Sequence, residues 1–114
     1  MTPEQIKTKK TIIFDHMDNY KSHRSWVVGD FSPSVIRTKD FEVAVFRIPS
    51  GTRTEPHHHE KIIETNLIIQ GSCNLTCDGI KHKLKEGDIF TFPPSVISRC
   101  KYTSDTILLC IKTP

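Results

Sequence analysis

The sequence predicts an all-β fold, a small barrel or jelly roll. Two observations carry this prediction. Short apolar segments alternate with Gly, Pro and Asp turns about every 8–12 residues, which is typical of sandwiches and barrels, and helical periodicity is almost absent. With 114 residues, the chain is long enough for one hydrophobic core and too short for two. We therefore expect a single domain over residues 1–114.

The first part of the chain is predicted to contain little regular structure. Residues 1–10 form a polar leader in which Thr2 can cap a single helical turn and Pro3 occupies the first helical position. Residues 11–14 and 25–28 are apolar enough to be short strands. We expect the barrel core to begin after them, at residue 41.

Residues 41–113 carry the barrel pattern. The segment 41–48 is apolar on both faces, as in a strand packed inside a sandwich or barrel. Asp78-Gly79 is the strongest hairpin signal in the chain, because both residues tolerate the positive φ angles of a tight turn. The remaining strands are expected near residues 65–70, 73–77, 80–84, 89–92, 96–102 and 106–112.

Composition excludes several classes of function. The net charge is only +3, and the one basic cluster, within residues 7–10, is better explained as a solvated leader than as a nucleic-acid site. There is no run of 18 apolar residues and no hydrophobic signal core. We expect a cytoplasmic protein that binds neither nucleic acid nor membrane.

The four cysteines are predicted to be reduced core residues. Cys73 and Cys77 lie four apart on one strand and therefore share a face with Leu75. This spacing lacks the close pairing of a zinc site, and free cysteine is among the most buried residue types. A disulfide framework is not expected in a cytoplasmic chain.

The segment from Gly51 to Gly71 holds the most conspicuous ligand cluster. His57 and His59 project to the same side of an extended chain, about 6–7 Å apart. Glu64 follows after a turn and can supply an oxygen ligand. Two imidazoles and a carboxylate can converge on one metal ion.

This segment resembles the first motif of the cupin family, G-x5-H-x-H-x4-E-x6-G. The matching residues are Gly51, His57, His59, Glu64 and Gly71, without a gap. The resemblance implies a cupin-type double-stranded β-helix, that is, a jelly-roll barrel with a metal-capable pocket at its mouth. It also implies pairing as a homodimer, for which the strands around residues 26–31 offer an apolar surface.

The second cupin motif, G-x5-P-x-G-x2-H-x3-N, matches only in part. Gly87 and Pro93 are present, but Ser95 stands in place of Gly. Ser98 occupies the position of the third histidine ligand, and Tyr102 that of Asn. The resemblance thus implies a reduced site of two His and one Glu, able to hold Fe, Mn, Ni or Zn weakly or not at all, because a neutral hydroxyl is a poor ligand.

Further pocket candidates come from the strands. Arg47 interrupts an apolar strand and, like Arg53, could bind an anionic ligand, although it could equally face water at the strand end. His82 could point into the barrel and replace the missing histidine. Ser98 and Tyr102 would line the pocket at the partly matched motif.

These observations leave three functions open. The first is a metal-dependent cupin enzyme, dioxygenase-like or isomerase-like. The second is a non-catalytic module that binds a small molecule such as a carbohydrate or organic acid. The third is a metal-free isomerase or epimerase of nucleotide-linked sugars that uses a His–Tyr or His–Asp pair. We favour a small-molecule-binding cupin with a reduced divalent-metal site.

Overall fold

The computed structural model describes residues 1–54 and 60–114. Antiparallel pairing joins the described strands into two sheets. The helical elements are α1 (Pro3–Lys7) and a 3-10 helix (Met17–His23). The strands are β1 (Trp26–Val28), β2 (Glu42–Ile48), β3 (Ile63–Gln70), β4 (Ser72–Cys77), β5 (Ile80–Lys85), β6 (Ile89–Phe92), β7 (Ser98–Tyr102) and β8 (Thr106–Thr113).

The all-β prediction is confirmed as two sheets of unequal size. The larger sheet has the order β1-β2-β8-β3-β6, and the smaller has the order β5-β4-β7. Their facing sides enclose one core, because alternate residues of each strand point inward. The buried members of that core are Ile68, Cys73, Leu75, Cys100, Tyr102 and Leu108.

The N-terminal residues differ in part from the prediction. Helix α1 begins as expected, with Thr2 and Gln5 forming a capping box and Pro3 in the first turn. The strand predicted at residues 11–14 is wrong, since no described strand pairs with this stretch. Phe14 is 86% exposed there, so its apolar side chain has no sheet to pack on. None of the described helices has the length and hydropathy that crossing a membrane requires.

Two turns follow the sequence signals. Asp78 and Gly79 have φ angles of 51° and 74° and connect β4 to β5, as the hairpin prediction required. Gly71, between β3 and β4, has a φ angle of +105°, and a Cβ built there would lie 2.6 Å from the Asp105 carbonyl oxygen. Glycine is needed at this position both for its backbone angle and for the close approach of the β7–β8 connection.

The cysteine prediction is confirmed for three of the four residues. All four thiols are free, and Cys73, Cys100 and Cys110 are buried while Cys77 is half-buried. Three of them therefore act as small core side chains, as free cysteine commonly does.

Candidate functional site

A cavity of about 300 Å³ lies between the two sheets. Its wall is largely apolar and aromatic, and a few polar groups enter it from the larger sheet. Mixed lining of this kind is typical of small-molecule sites. The apolar wall includes Trp26, Phe46, Leu75, Phe90, Phe92 and Leu108.

Strand register brings two charged residues into this cavity. Glu64 on β3 pairs with Lys112 on β8, and Asn66 pairs with Cys110. Because residues two apart share a face, all four side chains point to the same side as the buried Ile68 and Leu108. The larger sheet thus presents a polar group at one end of an otherwise apolar face.

The polar group is a connected cluster, in which Lys112 Nζ lies 4.0 Å from Glu64 Oε1. Asn66 Nδ2 donates a hydrogen bond to Glu64 Oε2 at 3.2 Å. The same Lys112 ammonium lies 4.7 Å from the centre of the Trp26 ring, within the range of a cation–π contact. The Lys112 and Glu64 side chains are 20% and 12% exposed, so solvent screens this pair less than a surface pair.

Cys110 adds a thiol beside the carboxylate. Burial is the main cause that raises the pKa of Cys110 to about 12, and the negative charge and hydrogen bonding of Glu64 contribute further. The Cys110 side chain therefore remains a neutral thiol at physiological pH. It acts as a weak donor to Glu64 and not as a nucleophile.

The smaller sheet contributes a second polar row. Ser98, Cys100 and Tyr102 alternate with exposed residues on β7 and line the cavity. Burial, followed by the neighbouring Cys100, raises the pKa of Tyr102. A hydrogen bond to Cys100 is the first cause that raises the pKa of Cys73. The phenol of Tyr102 and the thiol of Cys73 therefore hold their protons in the folded protein, whereas the hydrogen bond from Cys73 lowers the pKa of Cys100.

The predicted site residues divide into three groups. Glu64, Ser98 and Tyr102 line the cavity together. The predicted ligands His57 and His59 lie outside the described residues, so among those described Glu64 is the only member of that predicted set.

Two pocket candidates lie away from the cavity. Arg47 is on the outer face of β2, where it is exposed and forms an ion pair with Asp18. His82 lies opposite Leu75 on β5 but is exposed and does not line the cavity. Arg47 lies between Phe46 and Ile48 on β2, and because these two neighbours line the cavity, strand alternation turns Arg47 to the opposite face.

Lys112, Asn66 and Trp26 were not predicted as cavity residues. A signal for Lys112 was present, since it continues the alternation of Leu108 and Cys110 on β8. Trp26, expected on a dimer surface, lines the cavity through the pairing of β1 with β2.

The described side chains can be checked for the ligands that a cupin-type metal ion would need. No group of three His, Cys, Asp or Glu side chains that could hold an ion occurs within residues 1–54 and 60–114. Glu64 nevertheless offers a carboxylate that lines the cavity, which fits the oxygen ligand of a 2-His-1-carboxylate site. Ser98 lines the same cavity with a hydroxyl, a weak donor for such an ion.

Comparison with solved structures shows the same fold. KdgF from Halomonas sp. is 23% identical with a TM-score of 0.63, and the match covers 68% of this chain and 71% of that one. A cupin-2 domain containing protein from Shewanella frigidimarina NCIMB 400 is 15% identical with a TM-score of 0.62, covering 96% of this chain and 98% of that one.

A third similar structure is a sugar phosphate isomerase of the cupin superfamily from Silicibacter pomeroyi. It is 20% identical with a TM-score of 0.58, and the match covers 67% of this chain and 52% of that one. A comparison with curated protein sequences gave no significant match.

Residues 44–112, more than half of the chain, match the cupin domain family. The matched region runs from most of β2 through most of β8 and therefore contains the smaller sheet and, apart from β1, the larger sheet around the cavity. The sequence motif, the fold and the family match agree, and the chain belongs to the cupin family.

Proposed function

We propose that this cupin binds a small molecule, a carbohydrate or an organic acid, in the cavity between its sheets. The observation that carries the proposal is the Glu64–Lys112 pair at one end of an aromatic cavity. Apolar walls with a few convergent polar groups provide binding energy and orientation respectively. A cavity of about 300 Å³ accommodates a ligand of this size.

The polar cluster supports an organic acid over a neutral ligand. Lys112 presents an ammonium that Glu64 neutralises only in part, because 4.0 Å is at the outer limit of an ion pair. A ligand carboxylate can approach this ammonium, while the Asn66 amide donates or accepts hydrogen bonds with ligand hydroxyl groups and the Glu64 carboxylate accepts them. The Trp26, Phe90 and Phe92 rings would pack against the carbon skeleton.

A reduced divalent-metal site at His57, His59 and Glu64 forms the second part of the proposal. When bound there, Fe, Mn, Ni or Zn would act as a Lewis acid toward a ligand oxygen. Glu64 would hold the ion while Asn66 orients its carboxylate. The Lys112 charge beside the same carboxylate weakens the attraction for a cation, so we expect weak occupancy.

A metal-free isomerase or epimerase is the second candidate, and the position of Tyr102 favours it. The Tyr102 phenol lines the cavity from the smaller sheet, where it could serve as the acid of a His–Tyr pair toward a bound sugar. Tyr102→Phe would then abolish turnover while ligand binding persists. A purely non-catalytic module would bind ligand in both forms and convert it in neither.

The assembly and location complete the proposal. We infer a cytoplasmic homodimer, consistent with four reduced thiols and with exposed apolar side chains such as Ile12, Phe14 and Ile69. Light scattering on purified protein tests the dimer directly. A mass of one chain at all concentrations would contradict it.

The ligand proposal can be tested with the single tryptophan, Trp26, whose ring lines the cavity. Fluorescence titrations with hydroxy acids, uronic acids and neutral sugars should give a saturable change for at least one acid. Lys112→Gln should weaken that binding by about tenfold, the value of one charge-assisted hydrogen bond.

Lys85→Gln, which removes an exposed lysine on β5, serves as the matched control and should bind the acid as the unmodified chain does. Elemental analysis of untagged protein, purified without chelator, gives the metal content in parallel. Equal weakening in both variants would contradict the role of Lys112. No fluorescence change with any compound would contradict the cavity as a binding site.

A further inference from the structure

A second concave surface lies on the outer face of the smaller sheet. It is a groove of about 430 Å³ that the sheet separates from the barrel cavity. On β7, Ser98, Cys100 and Tyr102 are buried toward the cavity, whereas Arg99 and Lys101 are exposed on the opposite face. Strand alternation therefore allows β7 to serve two separate surfaces.

The groove is built from two rows of side chains that run across the strands. In the first row, Thr76 on β4 lies between Lys81 on β5 and Arg99 on β7. Each row of this face places a neutral hydrogen-bonding residue on the central strand and a cation on each neighbouring strand.

The second row repeats this arrangement. Asn74 on β4 lies between Lys83 on β5 and Lys101 on β7. Arg53 extends the row, because it forms a β-bridge with Lys101 at the side of the sheet. Hydrogen bonds from Thr54 N to the Cys100 carbonyl at 2.9 Å and from Tyr102 N to the Thr52 carbonyl at 2.9 Å hold this segment beside β7.

These cations have no carboxylate partner in the part of the chain that the structure describes. The ion pairs found there use His16, Lys21, Arg37, Arg47 and Lys112, and none uses a cation of the groove. Six of the 16 Lys and Arg residues lie on this face, because Lys85 shares it with Lys81 and Lys83 on β5, which leaves 10 against 13 Asp and Glu for the rest of the chain. The positive charge of the protein is thus concentrated on this one face.

The dimensions of the face limit what it can bind. Residues two apart on a strand are about 7 Å apart, and the cations flanking β4 are about 10 Å apart across it. This footprint suits the oxygens of one molecule carrying two or three linked phosphates. Arg and Lys donate to phosphate oxygens from the sides, and Thr76 and Asn74 donate from the floor.

We propose that the groove between Arg53, Lys81, Arg99 and Lys101 is a binding site for a small molecule with linked phosphate groups. The charge of the rest of the chain is slightly negative, so the basic surface does not extend into the longer track that a nucleic acid strand would follow. None of the four cations that define the site lines the cavity, although Thr54 and Cys100 line both the groove and the cavity.

Calorimetric titration with inorganic tripolyphosphate, at low salt and without divalent metal, tests the proposal. Binding should saturate at one molecule per chain below about 1 mM, the weak end of specific recognition. The double variant Arg99→Gln/Lys101→Gln should weaken it by about tenfold. Lys9→Gln/Lys10→Gln removes two exposed lysines from the leader and should change it by less than about twofold, since these charges lie outside the groove.

A variant that preserves charge distinguishes specific recognition by the groove from nonspecific electrostatic attraction of an anion. Thr76→Val removes only a hydroxyl from the floor and should weaken binding by about threefold. Lys112→Gln, in the cavity, should leave it unchanged. Equal weakening by the leader variant, or no saturation, would overturn the proposal.

Comparing tripolyphosphate with a nucleoside triphosphate shows whether recognition extends past the phosphates. Tighter binding of a single-stranded oligonucleotide than of either compound would overturn the assignment to a small molecule.

Discussion

Lys112 and Glu64 face each other across β8 and β3, with the ammonium 4.0 Å from the carboxylate inside the cavity. This pair places a fixed positive charge beside the carboxylate that the cupin motif assigns to a metal ion. The same pair therefore affects both the stability of the barrel and the charge of the ligand that the cavity prefers.

Replacing Lys112 should show how much this pair stabilises the fold. Lys112→Met keeps the aliphatic stem but leaves Glu64, 12% exposed, without the ammonium. We expect a loss of about 1–2 kcal/mol in the free energy of unfolding, between the values for surface and fully buried pairs. Urea unfolding measures it, with the exposed Lys85→Met as the control expected to change stability by less than about 0.5 kcal/mol. Equal losses in the two variants would show that the pair contributes nothing.

The Ser98 position should control metal affinity. Ser98 is 5% exposed and lines the cavity, and Ser98→His would supply an imidazole in place of a neutral hydroxyl. Affinity for Zn or Ni should rise by more than about tenfold, because even partners outside the ligand shell change it 10–100-fold. Competition with a chelator measures it, and Ser98→Ala should stay within about twofold of the unmodified chain. An unchanged affinity in Ser98→His would show that this position does not face the metal site.

Cys110 should make stability depend on alkaline pH. Its pKa is raised to about 12 in the folded chain from 9.0, so the folded state keeps the proton after the unfolded chain has lost it. The stability associated with this buried thiol is complete below pH 9 and is lost as the pH rises toward 12. The Cys110→Ala variant has no thiol at this position and does not lose this stability. The unmodified chain should therefore exceed the variant in unfolding free energy by an amount that shrinks by about 1.4 kcal/mol per pH unit above pH 9.

Ile68→Val provides the matched control for this measurement, since Ile68 is fully buried and has no titrating group. Its destabilisation of about 1 kcal/mol should be the same at every pH. Denaturant unfolding between about pH 8 and pH 11, a range that brackets the ordinary thiol pKa, gives both differences. A Cys110→Ala difference that stays constant over this range would contradict the raised pKa.

Gly71 and Gly79 should differ sharply in their tolerance of alanine. Both have positive φ angles, +105° and +74°, but only at Gly71 would a Cβ meet backbone, the Asp105 carbonyl oxygen at 2.6 Å. We expect Gly79→Ala to cost about 1–2 kcal/mol from the backbone angle alone. Gly71→Ala should cost at least about 2 kcal/mol more, because the β7–β8 connection must shift. Thermal unfolding compares the two, and equal costs would contradict the close approach.

The extent of successful prediction differs along the chain. From residue 41 onward each predicted strand is present, because two-residue alternation and turn residues such as Asp78-Gly79 are local signals. The apolar stretch 11–14 failed because a strand needs a neighbour to accept its hydrogen bonds, and no local pattern supplies one.

The cavity was predictable only where a motif named its residues. Glu64, Ser98 and Tyr102 came from motif spacing, and all three line the cavity. Arg47 was selected because it interrupts an apolar strand, yet it faces outward to Asp18. Lys112 was overlooked because its importance depends on the residue opposite it on β3.

The sequence by itself determined the all-β class and the turns, since both depend on residues close together in the chain. The tertiary structure alone decided which side chains meet. The register of β3 against β8 set Lys112 beside Glu64, and the register of β4 against β5 and β7 aligned the cations of the outer groove. A shift of one residue in either register would turn these side chains to the opposite face, and local periodicity does not specify the register between distant strands.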